Sequence, residues 1–213
     1  GGGFDIGRPN FLPRAASPLE KNVQFGNSVT MLKGNHTVKF GGDFKYVDDT
    51  LDNLYRGGGE YRYNNLVDFL TDYADPSQKA YNFFSQNFGD GRIQFTTQDY
   101  SLFVQDDIRV TPRLTVNLGL RYEYQKLPEA QRANPLAPGT SVLPSDKNNF
   151  GPRVGIAYDL TGKGETSLRG GYGIYYGRTI NSVISSALTN TGGATGIVGR
   201  FFRPNFTGSP TFP

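Results

Sequence analysis

Hydrophobic and polar residues alternate with a period of two along several stretches of this chain. The clearest is LTVNLGLRYEY, residues 114–124, in which every even position is Leu, Val or Tyr and every odd position is polar or Gly. Successive side chains of a β-strand point to opposite sides, so this period predicts a strand with one apolar and one polar face.

The same alternation, in the same phase, recurs in four other stretches; in YSLFVQDDIRV, Asp106 is the one charge on the apolar side. The stretches are HTVKFGGDFKY (36–46), YSLFVQDDIRV (100–110), NNFGPRVGIAYDL (148–160) and SLRGGYGIYYGR (167–178). A weaker run, NVQFGNSVTML (22–32), precedes them. We therefore predict six strands between residues 21 and 178; a β-bulge at Asp106–Asp107 is an alternative explanation of the exception.

The connections between these strands fall into two length classes. Short segments, KGN (33–35), TPR (111–113) and TGKGE (161–165), are typical of hairpin turns. The other connections are long, at 48–94 and 125–147, and residues 1–20 and 179–213 are predicted to be remnants of similar loops. Within the first long loop, NNLVDFLTDY predicts a brief helix capped by Asn64 or Asn65. Short turns at one edge and long loops at the other are characteristic of outer-membrane β-barrels.

Aromatic residues collect at the long-loop edge of the predicted strands. Tyr at that position can place its ring at the lipid boundary and its hydroxyl in water, which predicts an aromatic girdle. The girdle candidates are Phe44, Tyr46, Tyr100, Tyr122, Tyr124, Tyr172 and Tyr176.

Strands of about 10 residues, tilted by about 45°, span roughly 23 Å, which is close to the apolar band of an outer membrane. The pattern thus predicts an all-β fold, part of an antiparallel up-and-down transmembrane barrel with short periplasmic turns and long extracellular loops, whose even face meets lipid. The alternative is a soluble, secreted β-sandwich binding module, perhaps for carbohydrate, in which the even faces form a shared core.

Composition excludes several classes of protein. The mean hydropathy of −0.48 and the lack of long apolar runs exclude helical membrane spans. A net charge of +3, evenly scattered, gives no basis for nucleic-acid binding. The absence of Cys excludes a disulfide scaffold and thiol catalysis. The sequence opens on GGGFDIGRPNF with no signal-peptide features, so we expect a fragment.

The polar face is the predicted wall of a lumen. Its charged candidates are Lys39, Asp43, Lys45, Asp107, Arg109, Arg121, Glu123, Arg153, Asp159 and Arg169. Since their signs are mixed, cross-strand pairs in a wet interior are a better explanation than a selective substrate site. Gly171 and Gly173 share this face and leave room for something packed inside.

We find no catalytic, cofactor or metal site in the sequence. The single His36 lies at a turn and no nucleophile motif accompanies it, so no enzyme is expected. The acidic DDTLDN offers Asp48, Asp49 and Asp52 for calcium, but it lacks the Gly and the final Glu of an EF-hand loop, and a solvated loop is the better explanation.

In combination, HTVKFGGDFKY, YSLFVQDDIRVTPRLTVNLGLRYEY, NNFGPRVGIAYDL and SLRGGYGIYYGR resemble the barrel of TonB-dependent outer-membrane receptors, in particular the Oar-like group with a carboxypeptidase-regulatory-like domain. The resemblance covers about residues 20–178. It departs from that group at Ile108, where an aromatic residue is expected.

This resemblance implies 22 strands around an N-terminal plug, and uptake of a scarce nutrient energised by the TonB complex. The implied partners are outer-membrane lipid, a plug domain and further barrel strands outside this sequence, the TonB complex through that plug, and an unknown small substrate, with no nucleic acid. The implied location is the bacterial outer membrane. Six strands cannot close a barrel of this kind, which independently predicts a fragment.

Overall fold

The computed structural model describes residues 18–213, which contain nine strands and two α-helices. The strands are β1 (Leu19–Lys33), β2 (His36–Asp52), β3 (Glu60–Arg62), β4 (Phe83–Phe88), β5 (Arg92–Thr111), β6 (Leu114–Lys126), β7 (Phe150–Asp159), β8 (Ser167–Gly173) and β9 (Val198–Phe202), and the helices are α1 (Leu66–Ala74) and α2 (Asn181–Thr189). The predicted loop remnant at 1–20 lies almost entirely outside the described residues. None of the described helices is long and apolar enough to cross a membrane.

Six strands form one antiparallel sheet in the order β1-β2-β5-β6-β7-β8. Each long strand pairs with the next along the chain, so the predicted up-and-down antiparallel fold is confirmed. The three hairpin turns occur where the sequence predicts them, at 34–35, 112–113 and 160–166. The sheet does not close on itself within the described residues.

The register places the alternating apolar residues on one continuous face, which we call the lipid face. Phe25 pairs with Phe44, Phe44 with Tyr100, and Tyr100 with Tyr124, so a single row crosses four strands. This face comprises the even positions of β2 and β5–β8 and the odd positions of β1. Its large apolar side chains stay exposed, 46% for Leu118 and 49% for Val154. A β-sandwich would bury such a face under a second sheet, and within residues 18–213 no second sheet covers it.

The short turns lie on a line oblique to the strands. The first turn is level with Arg109, whose N–H donates to the Asn35 carbonyl at 2.8 Å, whereas the second, two strands further along, is at Pro112. A shift of about three residues over two strand spacings puts the strands at about 45° to the line of turns. The register of β7 continues the same line to the third turn. Because the turns of a barrel share one membrane surface, this angle is the tilt expected of outer-membrane strands.

β2 and β5 are longer than the alternation predicts. β2 continues to Asp52 and β5 begins at Arg92, so both strands extend into the predicted loop 48–94. In these extensions the buried residues stand at odd positions, among them Val47, Ile93 and Phe95. The apolar side of both strands therefore changes at one level of the sheet, and the strands continue beyond it.

Further chain packs on these extensions. We call the extensions and this further chain together the outer layer (residues 47–98 and 174–213). It contains a small antiparallel sheet in the order β3-β4-β9. Tyr61 is the centre of an aromatic cluster, with ring centroids 4.5 Å from Phe84, 5.2 Å from Tyr81 and 5.5 Å from Phe212. The segment 179–213, predicted as a loop remnant, thus supplies a strand, a helix and part of this aromatic cluster.

The predicted short helix is confirmed as α1. The side chain of its N-cap residue Asn65 accepts the Asp68 N–H at 2.9 Å, one of the two caps anticipated. Asp72 of α1 is fully buried and accepts the Tyr63 hydroxyl at 3.1 Å and the Ala80 N–H at 2.6 Å. Burial, and then the hydrogen bond to Asp72, raise the pKa of Tyr63. Asp72 therefore fixes α1 to the chain on both sides of it.

Candidate functional site

The candidate site is the side of the sheet opposite the lipid face, which we call the inner face. It carries the odd positions of β2 and β5–β8, and helix α2 packs against its outer end, where Ile184 and Leu188 contact Ile93 and Phe95. All ten charged residues predicted to line a lumen occupy positions of this parity. That they line a lumen stays a prediction.

A connected polar network crosses β2, β5 and β6 on the inner face. The Arg121 guanidinium donates to Glu123 at 2.9 Å and to Asp43 at 3.4 Å. Asp43 also accepts the hydroxyl of Ser101, which is buried. The guanidinium is thereby held between one carboxylate on its own strand β6 and one on β2, across the intervening β5, in keeping with the expected cross-strand pairing.

Nearer the turns, the inner-face carboxylates are satisfied by neutral donors. Asp107 accepts the side-chain amides of Asn117 at 2.6 Å and Gln105 at 3.0 Å. Asp159 is the last residue of β7 and accepts the backbone N–H groups of Gly164 at 2.9 Å and Gly162 at 3.0 Å. Asp159 therefore organises the third turn rather than facing an open wall.

A cleft of about 370 Å³ lies over the network at the outer end of the inner face. The segment after β8 covers it: Arg178 donates to Asp99 at 2.7 Å, and the Gln125 side chain exchanges two hydrogen bonds with the Thr179 backbone, at 2.9 and 3.2 Å. Tyr176, predicted in the girdle, instead lies past the end of β8 and lines this cleft, because strand pairing stops at Gly173.

The sequence analysis missed Asp99, Gln125 and Arg178. The odd parity of Asp99 and Gln125 could have found the first two, because both continue the polar alternation of their strands. Nothing in the local sequence brings Arg178 to Asp99, since the contact joins residues 79 positions apart.

A second inner-face depression, of about 390 Å³, lies over β6–β8. Its floor is largely glycine, and Gly171 and Gly173 lie there as their parity predicts. One wall is the Arg153 guanidinium, 4.5 Å from the centre of the Tyr175 ring. A Cβ at Gly173 would approach both side chains to within 3.1–3.2 Å, so glycine keeps this depression open.

The predicted girdle residues on strands share one level. From the register and the tilt, they stand about 23–30 Å above the line of turns, although they do not all belong to one row of paired residues. They are Phe44, Tyr46, Tyr100, Tyr122, Tyr124 and Tyr172. Neighbouring rings contact one another, Phe44 and Tyr100 at 5.0 Å and Tyr100 and Tyr124 at 6.0 Å between centroids. Their contact with lipid headgroups stays a prediction.

Asp106, the exception on the lipid face, is paired with the only histidine. His36 Nδ1 lies 2.6 Å from Asp106 Oδ2, and the register between β2 and β5 runs without a bulge at this point. Asp106 stands about 13 Å above the turns, nearer the middle of the band than its sequence position suggests. The pairing, rather than a bulge or the proximity of a turn, is what accommodates this carboxylate.

The arrangement of the three aspartates does not favour the calcium site. Strand β2 runs through Asp48, Asp49 and Asp52, so successive carboxylates point to opposite faces. Asp48 accepts from Gln94 at 3.0 Å and Asp49 from Asn181 at 2.9 Å. Over residues 18–213 no three acidic, His or Cys side chains come together as a metal site would require.

Comparison with known families gives one match. A family model described as an outer membrane beta barrel domain matches residues 3–211, nearly the whole chain. No curated protein and no solved structure is similar enough to the chain to match it.

Proposed function

The chain belongs to the outer membrane beta barrel domain family and is a protein of the bacterial outer membrane, and from this premise we propose that it is part of a TonB-dependent receptor that takes up a scarce nutrient into the periplasm. The observation that carries the proposal is the inner face. A charged, hydrogen-bonded wall with a cleft at its outer end stands on the side of the sheet opposite the lipid face.

Six strands support only part of such a receptor. Within the described residues the outer edges of β1 and β8 have no partner strand, and unpaired edges of a membrane sheet must be closed by further strands. We propose that these belong to a larger barrel with a plug, and that the plug contacts the TonB complex. Lipid and a small solute are the other proposed partners; we propose neither a nucleic-acid partner nor a cofactor.

We propose a transport role rather than an enzymatic one. The only histidine is on the lipid face, in contact with Asp106, and so lies on the opposite side of the sheet from the cleft. The inner face thus presents hydrogen-bonding and charged groups without a histidine base, an arrangement suited to binding and passage of a polar solute.

The test is growth on limiting nutrients. Cells with and without the full-length gene, each with the TonB complex intact or deleted, are grown in defined media in which one nutrient at a time is scarce. The gene should give an advantage in at least one medium, and deletion of the TonB complex should abolish it. An advantage that persists without the TonB complex would indicate a passive pore, and no advantage in any medium would contradict uptake.

Orientation is tested separately by cysteine labelling in intact cells. Pro138→Cys, in the long connection after β6, should react with a maleimide too large to cross the outer membrane, whereas Lys163→Cys, in the third turn, should react only after the envelope is broken. Lys163 is preferable to Gly162, whose φ of 71° and contact with Arg113 disfavour a side chain. The reverse labelling would invert the proposed topology.

A further inference from the structure

The inner face has a marked asymmetry in how its charges are used. Every inner-face carboxylate named above accepts a hydrogen bond from another residue of the described chain. Of the six cations predicted to line the lumen, only Arg121 pairs with a carboxylate. The other five form no ion pair with any residue of the described chain: Lys39, Lys45, Arg109, Arg153 and Arg169.

These five unpaired cations are spread over the height of the inner face, on β2, β5, β7 and β8. By register and tilt, they stand at about 6, 12, 17, 22 and 26 Å above the line of turns, in the order Arg109, Lys39, Arg169, Arg153 and Lys45. Consecutive members of this series lie on different strands and are about 14–25 Å apart within the sheet, so each is a separate position for a solute group. The charges of the inner face are therefore mixed in sign in the sequence, but the charged groups left free to bind a solute are positive.

Among the unpaired cations, Arg153 has the most specific surroundings. Its guanidinium stacks on Tyr175 and borders the glycine-floored depression of about 390 Å³. Its Nε is buried and has no hydrogen-bond partner in the described residues. A planar guanidinium with unused donors suits the two oxygens of a carboxylate or phosphate group.

We infer that the inner face selects solutes that carry carboxylate or phosphate groups, which bind at Arg153, with the other unpaired cations as separate positions on the same wall. The inference rests on the proposed transport function and names its substrate class. Pores for anions likewise carry Arg and Lys side chains on their walls, which favour anions over cations.

The test is calorimetric titration of the purified full-length protein in detergent. Citrate and inorganic pyrophosphate serve as carboxylate and phosphate probes, with sucrose and spermidine as neutral and cationic comparisons. At least one anionic probe should bind, and the stronger of the two identifies the oxyanion. Spermidine binding that exceeds both anions, or no binding of either anion, would overturn the inference.

Variants locate the site. Arg153→Gln should weaken anion binding by about tenfold or more, because a charged hydrogen bond is lost, and Arg153→Lys should restore only part of it. Lys45→Gln provides an independent position should Arg153→Gln misfold. Lys163→Gln, in the third turn, removes the same charge outside the inner face and should leave binding unchanged. Equal affinities in the Arg153 and Lys45 variants and the parent would overturn the inference.

This outcome is separable from that of the proposed function. Anion binding without any TonB-dependent growth advantage would leave the inference standing and remove the receptor proposal. TonB-dependent growth together with no anion binding would do the reverse.

Discussion

The two ends of strand β5 follow opposite rules. Between Tyr100 and Val110 the apolar residues other than Phe103 occupy even positions and are exposed or half-buried, with Leu102 64% and Val104 46% accessible. Between Arg92 and Gln98 they occupy odd positions and are buried, with Ile93 and Phe95 each 3% accessible. One continuous strand, in uninterrupted register with β2, thus changes its apolar side without changing its direction or its pairing with that neighbour.

The partner strand changes at the same level. On β2 the apolar side is even up to Tyr46 and odd from Val47, and these residues pair with Gln98 and Thr97 of β5. The physical reason is the medium on each side. Above this level, helix α2 packs against the inner face and buries the odd positions. We predict that the even positions below this level meet lipid, so that the inversion marks the membrane boundary.

The largest effect is expected from the outer end. Phe95→Ala removes a buried ring from the cluster with Ile184 and Leu188 and should lower the free energy of opening of the outer layer by about 3–5 kcal/mol. Hydrogen exchange of the α2 amides in the full-length protein measures it. Thr96→Ala, one residue away on the solvent side, should change it by less than about 0.5 kcal/mol; equal effects would contradict the inversion.

The membrane end should show the opposite parity. Val116→Arg, at an even position about 12 Å above the turns, should reduce the free energy of folding into bilayers by about 2–4 kcal/mol. Asn117→Arg points to the inner face, where a cation can still donate to Asp107, and should cost much less. Denaturant titration of the reconstituted full-length protein gives both values, and a similar cost at 116 and 117 would argue against a lipid face.

The exception on the lipid face offers a smaller test. His36→Ala leaves the Asp106 carboxylate without its only hydrogen-bond partner in the described residues and should destabilise the bilayer-folded protein by about 1–3 kcal/mol. The double variant His36→Ala with Asp106→Leu should recover most of this loss, because no charge remains in the apolar face. Failure of the double variant to recover would mean that the pair lies in water.

The smallest effect concerns pH at the outer end, where Asp49 lies in the extension of β2 beyond the change of parity. Burial raises the pKa of Asp49 from its usual value of 3.8, partly offset by the hydrogen bond from Asn181. A raised pKa in the folded state means that the folded protein holds the proton more tightly, so stability is fully present below pH 3.8 and declines as pH rises through the folded value. Asp49→Asn should flatten this decline, measured by α2 hydrogen exchange against pH; an unchanged slope would assign it to other groups.

Local patterns predicted much of this fold because the environments on the two faces of a strand determine the alternation of apolar and polar residues within that strand. The alternation around Val116 predicted the strands and their shared face, and Asn65 predicted the cap of α1. The extensions were missed because the apolar side was assumed to stay constant, although the change of parity at Val47 is visible in the sequence. The prediction could have used that signal.

Other features depend on contacts between distant parts of the chain. β9 exists because Val198–Phe202 pairs with Phe83–Phe88, more than 100 residues earlier, and no local pattern encodes that partner. The same holds for the inner face: the positions of its charges followed from parity, but the pairing of Arg121 and the free state of Arg153 depend on register across three strands. Sequence therefore predicted which residues line the wall, and only the structure shows which of them remain available.

The most direct test of the inversion is a spin-label scan along β5. The absence of Cys allows single cysteines at each position from 92 to 111 of the full-length protein in bilayers, with accessibility measured to oxygen, which partitions into lipid, and to a water-soluble nickel complex. Oxygen accessibility should peak at even positions from 100 to 110, and nickel accessibility at even positions from 92 to 98, with odd positions there shielded from both. Oxygen accessibility that peaks at even positions along the whole of 92–111, or that shows no alternation at all, would contradict the account.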